Sequence, residues 1–166
     1  MWLVVGPTPL AGIGQVCARY AELVSGEYVE LGHAPKRVKY ETGLCFVLPI
    51  KEQLDAFDQY AQICSKMIYM TVCETEPVNP CYGLLERYPE VHVPSEFSKK
   101  ILSKQFPKVK WSLLRHWAPD GPVKCPALDT PYTFYTIGNV LDPRKNIQGL
   151  VDAFLACRFG SAARLV

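Results

Sequence analysis

The chain predicts an α/β fold, a Rossmann-like parallel sheet with helices on both faces. Three observations predict it. Short apolar runs alternate with segments of helical periodicity through most of the sequence, the pattern of βα units. One run, Leu44-Cys45-Phe46-Val47-Leu48, is apolar at every position, as a strand buried on both faces requires. The first strand leads through Gly12-Ile13-Gly14 into a helix, a dinucleotide-type opening.

Taken in order, Trp2 to Val5 reads as the first strand and Gly6 to Gly14 as a loop. A helix follows, with Ile13, Val16, Tyr20, Leu23 and Val24 on one face, ending at Gly26. Tyr28 to Leu31 is a second strand, and the polar, basic stretch from Pro35 to Thr42 a loop. After the Leu44–Leu48 strand, a helix spans Lys51 to Ser65 with Leu54, Phe57, Ala61 and Cys64 inward. Met67 to Val72 is the next strand, followed by a proline-rich loop, Cys73-Glu74-Thr75-Glu76-Pro77-Val78-Asn79-Pro80. Tyr82 to Tyr88 reads as a short helix and Val91 to Pro94 as a strand. Ser95 suits the cap of a helix from Glu96 to Gln105, with Phe97, Ile101 and Leu102 packing inward. Val109 to Leu113 is the last strand of a first domain, residues 1–115. Residues 116–132, rich in proline, read as a linker, and residues 133–166 begin a second domain.

Composition narrows the classes. With 49% hydrophobic and 20% charged residues the chain builds a core. A net charge of +2 is too small to argue for nucleic acid. No apolar run reaches the roughly eighteen residues of a transmembrane helix. The cysteines, Cys17, Cys45, Cys64, Cys73, Cys81, Cys125 and Cys157, are odd in number, form no Cys-x-x-Cys pair and fall mostly within apolar runs. That suits core thiols in a reducing, cytoplasmic compartment. His33, His92 and His116 are scattered and offer no metal-ligand spacing, so no metal is expected.

The chemistry concentrates near the end. Phe134 to Ile137 reads as a buried strand, Gly138 lets the chain turn, and Asn146 can cap a helix whose apolar residues are Ile147, Leu150, Val151, Phe154 and Leu155. Arg144 and Lys145 thus stand just before a helix N-terminus, where free N–H groups, the helix dipole and two cations suit a phosphate. A surface loop with two solvated charges fits the same residues. Gly12 and Gly14 lack the third glycine of a dinucleotide fingerprint, so a tight turn explains them as well. Glu74 and Thr75 lie where open α/β sheets place ligand groups, at a strand's carboxyl end. A merely solvated polar loop is equally consistent.

Three strings, in order, resemble the retaining two-domain glycosyltransferases of the GT-B fold, the family 4 or group 1 type. They are Gly12-Ile13-Gly14 with Arg19-Tyr20-Ala21-Glu22-Leu23; Val93-Pro94-Ser95-Glu96-Phe97-Ser98-Lys99-Lys100-Ile101-Leu102; and Ile137-Gly138-Asn139-Val140-Leu141-Asp142-Pro143-Arg144-Lys145-Asn146 with Ala153-Phe154. The resemblance implies transfer of a sugar, of the hexosyltransferase type, from a nucleotide-sugar donor to a hydroxyl of a glycan or other acceptor, with retention. It implies that Arg144 and Lys145 hold the donor diphosphate, that the Gly12 and Gly14 backbone approaches it, and that Glu74 and Thr75 line the acceptor side. No cofactor beyond the donor is implied, and no catalytic residue is assigned. Asn139 stands where many relatives carry a basic residue.

The resemblance also implies a missing remainder of the second domain, which in the family binds the donor's base and sugar and carries a Glu-x7-Glu type motif. Gly138 to Val166 contains no Glu. The expectation is therefore an N-terminal domain plus the first βα unit of its partner, with Arg164-Leu165-Val166 starting the next strand. The apolar stripe from Ile147 to Phe154 is then expected to lie on the first domain, pair with a second copy, or stay mobile. The alternative function is a non-catalytic acceptor-binding module, or half of a split transferase. A Rossmann-like oxidoreductase is more distant, since Glu30 lacks the context of a ribose-binding acid.

Overall fold

A computed structural model describes residues 1–10, 12–116, 132–136 and 143–166, with Arg144 described only in its backbone. Residues 117–131 of the expected 116–132 linker, Ile137, and the Gly138–Asp142 turn with Asn139 lie outside the described residues. Contacts divide the chain into two units, Met1–Pro119 and Asp120–Val166.

The first unit is built on six parallel strands. They are β1 (Trp2–Gly6), β2 (Glu27–Glu30), β3 (Tyr40–Phe46), β4 (Cys64–Met70), β5 (Glu90–Val93) and β6 (Lys110–Leu113), in the order β2-β1-β3-β4-β5-β6. Helices α1 (Gly12–Leu23), α2 (Lys51–Ala61) and α3 (Glu96–Gln105) and a 3₁₀ helix (Pro80–Arg87) connect them. This is the Rossmann-like α/β class.

Strand alternation decides which helix covers which face. Leu3, Val5, Cys45, Val47, Val91 and Val93 share one cluster with Leu54 and Phe57 of α2, Leu85 of the 3₁₀ helix, and Ile101 and Leu102 of α3. Val4, Leu44, Phe46 and Met70 point the other way, onto Cys17, Tyr20 and Ala21 of α1. From Leu44 to Val47 successive residues feed the two clusters in turn, which is why the Leu44–Leu48 run carries no polar position.

Several expected placements are corrected. Leu23 is 54% exposed; α1 instead buries Gly14, Cys17, Tyr20 and Ala21. Small residues win because the helix lies very close to β1: a Cβ on Gly6 would stand 2.6 Å from the Cys17 sulfur. The second helix ends at Ala61, not Ser65, and its inward face is Leu54, Phe57 and Tyr60. Cys64 belongs to β4, opposite Tyr40. Strand β3 begins at Tyr40, within the stretch read as loop, because that residue packs in the core and pairs with Cys64. Phe97 is 47% exposed, and Ser98 takes its inward position. The cap at Ser95 is as expected: its hydroxyl oxygen accepts from Ser98 N at 3.1 Å.

In the second unit, β7 (Tyr132–Phe134) and β8 (Ala163–Leu165) are parallel and joined through α4 (Ile147–Ala156). Val166 N donates to Phe134 O, and Thr136 N to Val166 O. The expected strand at Arg164–Val166 thus exists, and the helix has two strands of its own to pack on. Phe134, Phe154 and Phe159 meet with centroids 5.4 to 5.9 Å apart. No residue of α4 is fully buried, and Leu155 stays 67% exposed.

Candidate functional site at the carboxyl edge of the sheet

Strand order fixes where a crevice opens. From β1 the chain moves outward to β2, then crosses back to β3 on the other side. Connections leaving β1 and β3 diverge, and the gap beyond their carboxyl ends is the topological switch point where such sheets bind ligands. A cavity of ≈ 230 Å³ lies there, lined by Pro7, Ile13, Leu31, Phe46, Leu48, Gln53 and Phe57. Its wall is largely apolar, and Gln53 is the one polar side chain among its described lining residues.

The loop over this crevice is tied down. Tyr28 donates its hydroxyl to the Pro7 carbonyl, and Leu31 N donates to Gly6 O at 2.9 Å. The two predicted glycines part company here. A Cβ on Gly14 would stand 1.9 Å from the Thr8 carbonyl oxygen and 2.6 Å from that of Pro7, whereas a Cβ on Gly12 meets none of the described residues within 4 Å. Gly14 is therefore a packing residue that lets α1 start against the loop. Gly12 is the exposed one, free for close approach by a ligand. The first turn of α1 carries no acidic residue, and Ile13 lines the crevice. The first N–H groups of a helix have no intrahelical partner, and with the helix dipole this gives such an end a positive potential.

Glu74 and Thr75 are exposed on the loop leaving β4, on the same carboxyl edge but beyond β3 from the glycine loop. They do not line the crevice. Their backbone is held from several sides. Ser98 donates its hydroxyl to Cys73 O at 2.6 Å, and Tyr82 donates to Val72 O. Asn79 Oδ1 accepts from Cys81 N at 3.0 Å. The loop thus presents two polar side chains on an anchored frame.

In the second unit Lys145 is exposed in a short 3₁₀ turn (Pro143–Lys145) that feeds α4. Asn146 occupies the cap position in the left-handed region, φ 46, and makes no side-chain cap bond. Its side chain instead fills the space beside Gly149, 2.5 Å from where a Cβ would stand. The expected capping role of Asn146 is corrected accordingly, and its side chain leaves the helix's first N–H groups uncovered.

Polar atoms missed in the sequence also gather at this edge. Among the described residues, Thr71 Oγ1, His92 Nδ1 and His116 Nε2 are buried without a partner. Thr71 follows β4, His92 lies within β5 just before its last residue, and His116 lies beyond β6. The His116 ring lies 6.4 Å from that of Phe46, which lines the crevice. Tyr20 donates to the neighbouring Arg115 carbonyl at 2.6 Å, fixing the segment against α1. Burial pushes the His116 pKa down, favouring neutral imidazole. The only sequence signal was a polar residue at the end of an apolar run, which is also what a strand end looks like. Among the described residues no cluster of three or more His, Cys, Asp or Glu could hold a metal. No helix among them is long and apolar enough to cross a membrane.

Fold and edge define the class: an α/β domain whose six-stranded parallel sheet presents a switch-point crevice. Compared with protein-family models, curated protein sequences and solved structures, the chain matches none.

Proposed function

We propose that the chain forms the acceptor-side domain, and the opening βα unit of the donor-side domain, of a retaining GT-B-type glycosyltransferase. The observation that carries this reading is the switch-point crevice, lined at the start of α1 by Ile13, next in sequence to the exposed Gly12. The sequence resemblance supplies the reaction class. In this reading the donor's sugar–phosphate bond breaks, the nucleoside diphosphate departs, and an acceptor hydroxyl forms the new glycosidic bond, losing its proton. Arg144, Lys145 and the first N–H groups of α4 hold the charge developing on the departing diphosphate, stabilisation by preplaced positive groups. Gly12 permits the close approach from the facing domain, while Glu74 and Thr75 contact acceptor hydroxyls.

The test is turnover of a panel of nucleotide-sugar donors by the full gene product, with free nucleoside diphosphate as the readout. Replacing both Arg144 and Lys145 with Ala is expected to lower donor kcat/KM by about a hundredfold. Acceptor binding with no donor turnover would instead support the binding-module reading. Absence of both overturns the assignment.

A further inference from the structure

The crossover from β2 to β3 is made by an irregular loop, residues 31–39, where parallel strands usually employ a helix. One flank of α2 is therefore left without a helical neighbour, and a cleft of ≈ 500 Å³ opens between loop and helix. That volume lies within the range of small-molecule sites. Ala56, Gln59, Tyr60 and Ile63 form one wall, and Arg37 and Val38 close the other. The wall is fixed: Tyr60 is 8% exposed, donates its hydroxyl to His33 O at 2.8 Å and accepts from Gly32 N at 3.0 Å.

Charge around the cleft is one-sided. The loop carries Lys36, Arg37 and Lys39, and none of the three forms an ion pair among the described residues. The nearby carboxylate of Glu27 is committed to Lys36 N and the Tyr40 hydroxyl, at 2.8 and 2.6 Å. Asp55 and Asp58 of α2 turn to Arg87, at 2.9 and 3.0 Å. The α2 residues left facing the cleft are uncharged. We infer that this cleft binds a small amphipathic anion, an aryl or acyl carboxylate, sulfonate or phosphate. The apolar body lies along Val38, Ala56 and Ile63, and the charged head meets the Arg37 guanidinium, whose planar fork suits such oxyanions. None of the residues invoked belongs to the proposed donor or acceptor groups.

The experiment titrates the full chain with anilinonaphthalene sulfonate, and separately with uncharged phenylnaphthylamine, following backbone amide NMR signals. Sulfonate is expected to move Gly32, Val38, Gln59 and Ile63, and to bind at least about tenfold more tightly than the neutral probe at those amides. Arg37→Glu, at an exposed position, should remove that advantage while leaving the spectrum otherwise native. Ala56→Trp should block both probes. The inference is overturned if the shifts centre on the Phe134–Phe159 cluster or the Pro7–Leu48 crevice, or if Arg37→Glu binds sulfonate as wild type does. Sedimentation with phosphatidylglycerol vesicles without sulfonate-induced shifts here also overturns it, since the basic loop would then serve a membrane surface.

Discussion

Replacing Gly14 with Ala separates packing from ligand approach at the glycine loop. In an unencumbered helix this change stabilises by about 1 kcal/mol. Here the added methyl would stand 1.9 Å from the Thr8 carbonyl oxygen and 2.5 Å from its carbon. Both are backbone atoms, so no side-chain rotation relieves the clash, and loop and helix must separate by about 1 Å. Overpacking of this kind costs about 3 kcal/mol at the upper end of its usual range. The movement also threatens the Tyr28 bond to Pro7, a further loss of about 1 kcal/mol. The balance is a destabilisation of about 3 kcal/mol. Gly12→Ala is the internal control. None of the described residues lies within 4 Å of its Cβ position, so stability should be unchanged or rise by up to about 1 kcal/mol. Urea unfolding followed by tryptophan fluorescence measures both variants. If Gly14→Ala proves as stable as Gly12→Ala, the packing argument is wrong and the division of roles between the two glycines falls with it.

Other outcomes follow from the same contacts. Ser98→Ala strands the buried Cys73 carbonyl and should cost about 1–3 kcal/mol in urea unfolding; Ser95→Ala loses the α3 cap for about 1 kcal/mol. In thiol labelling at neutral pH, exposed Cys157 should react well before Cys17 and Cys45, which are buried; early loss of Cys45 would contradict its place in the core. Burial pushes the Cys17 thiol from 9.0 up to about 12 and raises Cys45 as well. The unfolded chain therefore releases these protons first, so stability holds below pH 9.0 and falls as pH rises toward 12. Each group contributes a slope of up to about 1.4 kcal/mol per pH unit; a flat stability curve across that interval contradicts the burial. Replacing Glu74 and Thr75 together with Ala should raise acceptor KM about tenfold with donor KM unchanged, measured in the donor-turnover assay.

The sheet was legible because each of its strands writes its own signal. Leu44 to Leu48 needed only its unbroken apolarity, and Ser95 only its place before a periodic stretch. Errors arose where a distant partner decides. Leu23 has the right spacing for α1, but the helix approaches β1 on its small residues, and only the juxtaposition of Gly6 with Cys17 shows this. Ala61 and Cys64 extend the period of α2, yet Cys64 is claimed by pairing with Tyr40 across the sheet. At the site, the glycine loop and the Glu74–Thr75 loop were visible as strand-end loops. The distinct roles of Gly12 and Gly14 were not, because they depend on the path of the Thr8 carbonyl. Thr71, His92 and His116 were missed because strand ends tolerate polar residues for many reasons, and only burial without a partner distinguishes them. The cleft beside α2 was hidden because its cause is a helix that the β2–β3 crossover lacks.

The two outer strands of the six-stranded sheet are both short, and each carries charge: Glu27 and Glu30 on β2, Lys110 on β6. A foreign strand adding to β2 would face two carboxylates, and to reach Glu27 it would have to displace the Lys36 and Tyr40 bonds. One adding to β6 would meet the lysine paired with Glu90 at 3.1 Å. Long, flat, apolar outer strands recruit their neighbours into aggregates, and short charged ones discourage this. The central strands, whose apolar runs would be the most aggregation-prone if exposed, lie inside these two guards. During synthesis, then, the period of risk is the interval before β2 and β6 take their places, and a charge-removing change at Glu27 or Lys110 would lengthen the hazard without touching the core.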